Sequence, residues 1–185
     1  PFAYTRWGNP TVAQLERKLA ALEGGEACVA FASGMAAITA LLLSLLKAGD
    51  HLVMSDVTYA AASELANDAL PHLGIEISRV NTSNPDEVKA ALRPNTRLVY
   101  LETPVNPILR LTDIEAVTGM AHEAGARVAV DTTFATPISI KPLQLGADFV
   151  IHSLTKYICG HGDAIGGAVC GSQEDMALLR PMAIH

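Results

Sequence analysis

The sequence predicts an α/β fold: a mostly parallel sheet covered by helices on both faces. Three observations carry that reading. Strand-like and helix-like segments alternate along the chain. The strand-like runs, such as residues 127–130 and 148–151, are apolar on both faces, as in a sheet buried on both sides. Cap and breaker residues fall between the segments.

Each element has its own local reason. Asn9-Pro10 opens a helix, with Asn as N-cap and Pro at the first helical position. Leu15, Leu19 and Leu22 follow helical spacing, and Gly24-Gly25 stops it. Residues 27–32 read as a short buried strand. Ser33-Gly34 then turns into an apolar helix over 35–46, ended near Gly49. Residues 51–54 are strand, 59–70 helix with Pro71 after it, and 75–80 strand. Asn84-Pro85-Asp86 caps a helix over 87–92, and 97–101 is strand. Thr112-Asp113 caps a helix that ends near Gly125. Residues 127–130, 148–151 and 165–170 complete the strands, and a helix follows Ser172. Crossovers are expected to be right-handed.

The chain has 185 residues, 50% hydrophobic and 17% charged, enough for one sizeable core. Residues 10–185 read as one large domain. Residues 1–9 precede the first cap and read as an arm. The net charge is −6 with no basic cluster, which argues against nucleic acid as partner. The longest apolar run, 35–46, is too short to span a bilayer, so no membrane partner is expected. Cys28, Cys159 and Cys170 form no CxxC pair, so neither a metal site nor a dithiol is predicted. Sparse, odd cysteines fit a reducing compartment, and a cytoplasmic location is expected. The chain starts without Met, and both ends look cut.

Ligands of such sheets bind outside the carboxyl ends of the strands. The polar residues that follow strands are therefore the candidates: Ser33-Gly34, 56–59, 102–106, 131–133 and 153–156. Ser33-Gly34-Met35 opens a helix whose free N–H groups can hold an anion. Its plainer reading is a capped turn. No GxGxxG or GxxxxGK[ST] occurs, so the usual nucleotide fingerprints are absent. Asp131, ending a central strand, would be costly without a partner. A protonated ring nitrogen would hold it ionised, or it simply caps the turn through Thr132 and Thr133. Lys156 could form a Schiff base with an aldehyde, or be a solvated surface lysine. Ser153 and Thr155 could hold the same anion as Ser33-Gly34. Tyr59 could stack on a flat ring or pack in the core. Asn106, between prolines, could bond a phenolic oxygen or merely make a turn. His152 reads as a structural or supporting residue, and His161 as ordering the glycine loop. Tyr4 and Arg6 are surface residues unless another subunit needs them.

Together these residues describe one ligand: a phosphate, a flat ring, a ring nitrogen wanting an anion, and an aldehyde wanting a lysine. That ligand is pyridoxal 5′-phosphate (PLP), an electron sink for amino-acid carbanions. A catalytically dead binding fragment and an aminotransferase stand as rival readings.

Five motifs then resemble one family: YTRWGNPT (4–11), FASGMAAI (31–38), ETPVNP (102–107), VDTTFATP (130–137) and HSLTKYICGHGD (152–163). It is the Cys/Met-metabolism family of PLP-dependent enzymes, with fold-type I architecture. The resemblance covers nearly the whole chain. It implies Lys156 as the Schiff-base lysine, Asp131 as the pyridinium partner and Tyr59 as the stacked ring and proton donor to the leaving group. It implies backbone contacts to phosphate from Gly34 and Met35 in the Ser33 turn, joined by Ser153 and Thr155. Asn106 would sit near the cofactor hydroxyl and substrate carboxylate, and Thr133 with the cofactor-binding residues. Tyr4, which also ranks among the catalytic side chains, and Arg6 would reach a neighbouring subunit's phosphate. Shared active sites in a homodimer or homotetramer follow. The implied activity is a methionine γ-lyase-like carbon–sulfur lyase acting on a sulfur amino acid. The alternatives are a γ-replacement synthase or sulfhydrylase and a cystathionine lyase. Ala61 departs from the cysteine usual in methionine γ-lyases, and Ala60 from the glycine common elsewhere. The family's C-terminal domain, with its carboxylate-binding arginine, is absent from the sequence.

Overall fold

The computed structural model describes residues 3–184. Asn9 caps α1 (Pro10–Glu23), its side chain accepting from the N–H groups of Thr11 and Val12 at 2.9 and 3.3 Å. Strand β1 (Ala27–Phe31) leads into α2 (Gly34–Leu45), and β2 (His51–Ser55) into α3 (Ala60–Glu64). Then β3 (Glu76–Val80) leads to α4 (Pro85–Ala91), and β4 (Thr96–Glu102) to α5 (Ile114–Glu123). After β5 (Arg127–Asp131) come a short α6 (Thr136–Ser139), β6 (Phe149–Ser153), β7 (Gly167–Gly171) and α7 (Gln173–Ile184).

The strands form one sheet in the order β1-β7-β6-β5-β4-β2-β3. All neighbouring pairs are parallel except those of β7, which is antiparallel to both β1 and β6. No helix separates β6 from β7. A parallel return needs a crossover, so the chain comes back antiparallel. The carboxyl ends of β1, β2, β4, β5 and β6 therefore share one edge.

Alternation sorts the strand side chains between the two faces. Leu98, Tyr100, Ala129, Phe149 and Ile151 pack with Ile38, Leu41 and Leu42 of α2 and Leu179 of α7. Val99, Leu101, Val128 and Val130 pack on the other face with Val88 of α4 and Val117 of α5. On that second face Cys28, Ala168 and Cys170 meet Leu19 and Ala20 of α1. Leu98, Val99, Tyr100 and Leu101 are consecutive and fully buried. At about 1.5–3 kcal/mol for each aliphatic side chain, the middle of β4 is a principal source of stability.

The structure differs from the sequence expectation in four places. The helix expected over 59–70 divides into α3, a π-helical turn (Leu65–Ala69) and a 3-10 turn (Leu70–Leu73). Pro71 has no N–H to continue the ladder, so the hydrogen-bond spacing changes around it. It lies inside the 3-10 turn, not after a helix. Strand β6 runs on to Ser153, two residues beyond Ile151, because β7 pairs with His152 and Ser153 where β5 has ended. Strand β7 starts at Gly167, two residues later than expected. Helix α6 and the 3-10 turn Pro142–Leu145 were not foreseen, being too short to show a period. In the arm, residues 3–7 are exposed, and the Tyr4 and Trp7 rings meet edge to face with centroids 5.5 Å apart. Residues 1 and 2 lie outside the described residues.

Candidate active site at the carboxyl ends of the strands

Where the five strands end, a cavity of about 650 Å³ opens. Ser33, Gly34 and Met35 come to it from the start of α2, and Ser153, Thr155 and Lys156 from the end of β6. Asp131 and Thr133 enter from β5, Tyr59 from the start of α3, and Asn106 from the loop after β4. These are the residues expected from the sequence, brought together from five segments of the chain.

One wall is built to receive an anion. Ser33 caps α2, accepting the Ala36 N–H at 3.0 Å, and its carbonyl takes the Ala37 N–H. The N–H groups of Gly34 and Met35 have no partner inside the helix, as the first turn requires. A Cβ at Gly34 would lie 2.7 Å from Ser153 Cβ, so only glycine lets this turn close on the end of β6. Thr155 spends its hydroxyl on Gly166, accepting its N–H at 3.1 Å and donating to its carbonyl at 3.2 Å. Lys156 is exposed at the edge of the cavity. The chain leaves it through Gly160 and Gly162, both with φ near +70° (73° and 71°). His161 Nδ1 meets the Cys159 carbonyl at 2.8 Å, which orders this turn.

The floor is acidic. Asp131 is buried, its Oδ1 accepting the Thr133 N–H at 2.9 Å and its Oδ2 the Tyr100 hydroxyl at 3.3 Å. Burial raises its pKa, against the pull of the Thr133 hydrogen bonds and the His152 charge. No ion pair holds Asp131 among the described residues. Thr133 also accepts the Ser153 N–H at 2.8 Å, coupling Asp131 to the anion wall. Glu102 lies level with Asp131 in the next strand and is likewise buried. Burial raises its pKa too, with the Asp131 charge adding to the rise and the Thr58, Asn106 and Tyr59 donors opposing it. Burial, helped by both carboxylates, keeps the Tyr100 hydroxyl protonated.

Helix-end donors on one side and a buried carboxylate without a cation on the other fit a flat anionic ligand with a protonated ring nitrogen. Tyr59, 45% exposed, and Asn106 stand free to meet its ring. The sequence reading assigned no role to Glu102, Phe134 or Tyr157, which also line the cavity. Glu102 had a signal, a carboxylate directly after a strand. The two aromatic rings, packed edge to face at 5.4 Å, had none. Tyr4 and Arg6 are exposed and do not line this cavity. His152 is buried against Glu23 on α1, in a supporting position.

A second cavity, about 670 Å³, lies between α1, β1 and α7. There Arg180 takes up the Glu16 carboxylate at 2.7 and 3.0 Å, and no strand delivers its carboxyl end. Among the described residues no His, Cys, Asp and Glu cluster could hold a metal ion, and no helix is long and apolar enough to cross a membrane.

The comparisons agree on one family. Residues 1–182 match the family model described as Cys/Met metabolism PLP-dependent enzyme. An L-methionine gamma-lyase of Fusobacterium nucleatum subsp. polymorphum is 54% identical over 94% of this chain and 44% of its own length. A canavanine gamma-lyase of Pseudomonas canavaninivorans is 50% identical over 92% of this chain and 43% of its own. A cystathionine gamma-lyase of Bacillus subtilis (strain 168) is 46% identical over 95% and 46%. The crystal structure of metB from Corynebacterium glutamicum superposes with a TM-score of 0.95 at 46% identity, over 97% of this chain and 47% of that one. The chain thus spans less than half the length of these relatives.

Proposed function

Because the chain belongs to the Cys/Met-metabolism family of PLP-dependent enzymes, we propose that it forms the cofactor-binding part of a carbon–sulfur lyase. Its reaction is the α,γ-elimination of methionine or a related sulfur amino acid, with one water consumed, to a 2-oxo acid, ammonia and a thiol. The observation that carries this reading is the single cavity where the α2 start, Asp131, Tyr59 and Lys156 meet.

The residues fit the family's cofactor. Gly34, Met35 and Ser153 would hold its phosphate, with Ser33 and Thr155 shaping the cradle around it. Asp131 would hold the ring nitrogen protonated, and Tyr59 would cover the ring. Lys156 would hold the aldehyde. When bound, PLP supplies an electron sink for the carbanion that forms at the substrate's Cα. The work of the chain is then proton handling and exclusion of water. Lys156 would take the proton from the substrate's Cα. Its exposed position at the cavity edge gives it room to swing. A second proton would leave Cβ, and Tyr59 would give a proton to the sulfur departing from Cγ. Asn106 orients the substrate carboxylate.

The relatives' greater length supports a domain reading: an arm over 1–9, the cofactor-binding domain over 10–185, and a carboxylate-binding arginine in a part this chain does not cover. Exposed Tyr4 and Arg6, away from the cavity, support a homodimer or homotetramer in which the arm completes a neighbour's site. Three free cysteines fit a reducing, cytoplasmic setting.

The test gives full-length protein methionine, cystathionine or O-acetylhomoserine and assays 2-oxobutyrate and thiol. Release of both from methionine alone is expected. Turnover of O-acetylhomoserine only when a thiol is added would replace elimination by γ-replacement.

A further inference from the structure

Glu102 is buried, negatively chargeable and level with a second buried carboxylate, Asp131. A carboxyl in such a place is tolerated only if donors surround it. Three do. The Thr58 hydroxyl and the Tyr59 N–H both donate to Oε2 at 2.6 Å, and the Asn106 N–H donates to Oε1 at 3.1 Å. Thr58 and Tyr59 belong to the loop between β2 and α3, and Asn106 to the loop after β4. Tyr59 and Asn106 both line the cavity, yet Glu102 grips each by its backbone. The Arg110–Asp56 ion pair also ties the two loops, away from the cavity; Glu102 holds the two residues that line it.

We propose that Glu102 is a positioning residue, a clasp that fixes the ring-facing Tyr59 and Asn106 relative to each other through the backbone of two loops. The ligand it serves is the flat heteroaromatic ring of the cofactor. The inference rests on the reading that this cavity takes PLP. Both Glu102 oxygens are spent on these two loops, so its part is to set where Tyr59 and Asn106 stand. The clasp needs two acceptor oxygens. A glutamine of the same shape has one, so its NH₂ must face either the Thr58–Tyr59 pair or the Asn106 N–H. One arm of the clasp is then lost.

The experiment uses full-length protein, stripped of cofactor and titrated with PLP. It reads the apparent Kd and the circular dichroism of the bound cofactor's absorption band, which reports how asymmetrically the ring is held. Glu102→Gln is expected to weaken PLP binding roughly tenfold to a hundredfold, as for hydrogen bonds to a charged group. Its dichroic band should shrink even at saturation. Thr58→Val should weaken binding severalfold, with Thr58→Ser restoring it. Glu102→Gln with wild-type Kd and wild-type dichroism overturns the proposal. If Glu102→Gln does not fold, the Thr58 pair decides: loss with Val and recovery with Ser supports the clasp, and no difference between them overturns it. A wild-type protein that takes up no PLP is a separate result, which removes the functional reading and the clasp with it.

Discussion

Strand β5 begins at Arg127 and ends at Asp131, and its two ends are built in opposite ways. Arg127 is paired. It donates to both Asp175 oxygens at 2.6 Å and to Asp148 at 3.4 Å, and stacks over the Phe149 ring at 4.3 Å. Asp148 in turn accepts the Val128 N–H at 2.7 Å and meets His122 at 2.9 Å. At the other end Asp131 is more deeply buried, and the described residues offer it no cation within salt-bridge reach. The pKa shifts follow this difference. Asp175 is lowered, because the Arg127 and Ser172 partners outweigh the upward push of burial, while Asp131 and Glu102 are raised by burial. One end of β5 carries paired charges, and the other carries a buried carboxyl held by hydrogen bonds alone. The two ends can differ in this way because the strand between them, Val128 to Val130, is fully buried and close-packed on both faces.

Substitutions at the two ends test this division. The largest effect is expected at Lys156. Lys156→Ala should lower turnover by about a thousandfold or more and remove the cofactor's absorption band near the visible edge. Its melting temperature without cofactor should not move, since the side chain is exposed. Asp131→Asn should lower turnover by about a hundredfold or more without destabilising the cofactor-free protein. Arg127→Leu should do the reverse, costing about 1–2 kcal/mol in urea unfolding with turnover per folded molecule unchanged. That figure is set below the one for a fully buried pair because 36% of the Arg127 side chain is exposed. Loss of turnover in Arg127→Leu at full stability would break the division.

The two ends should also separate with pH. Asp131 and Glu102 have raised folded pKa values, so the folded state binds their protons more readily than the unfolded chain does. The cofactor-free protein should therefore gain stability as pH falls from neutral through those raised values toward the ordinary 3.8–4.5. Asp175 and Asp56 are lowered, so their contribution is present above 3.8 and is lost as pH falls below it. Melting temperature against pH should rise and then drop. Bound PLP should flatten the rise, because Asp131 then has its cation. The smallest effects compare two helix caps. Asn9→Ala and Ser33→Ala should each cost about 1 kcal/mol, but only Ser33→Ala should also weaken PLP binding.

The cavity was legible in the sequence because strand ends are legible. Most residues placed there, such as Ser33, Asp131 and Ser153, end a strand or open the helix after it. Caps were readable for the same reason: Asn9, Ser33, Asn84 and Asp113 bond to N–H groups two or three residues away. Glu102 could be placed on the rim but not given its partners. The hydrogen bonds of Arg127 left no local mark, because Asp175 is 48 residues distant.

Local pattern thus settled the order of elements, the buried faces and the edge where chemistry collects, since periodicity and capping act within a turn or two of the chain. The neighbours across the sheet were settled only by packing. The reversal of β7 between β1 and β6, the division of the helix around Pro71, and Glu102 closing on Thr58 and Tyr59 from 44 and 43 residues away are of that kind. Long-range contacts depend on which surfaces bury each other best, a property of the whole assembled chain that no single stretch encodes.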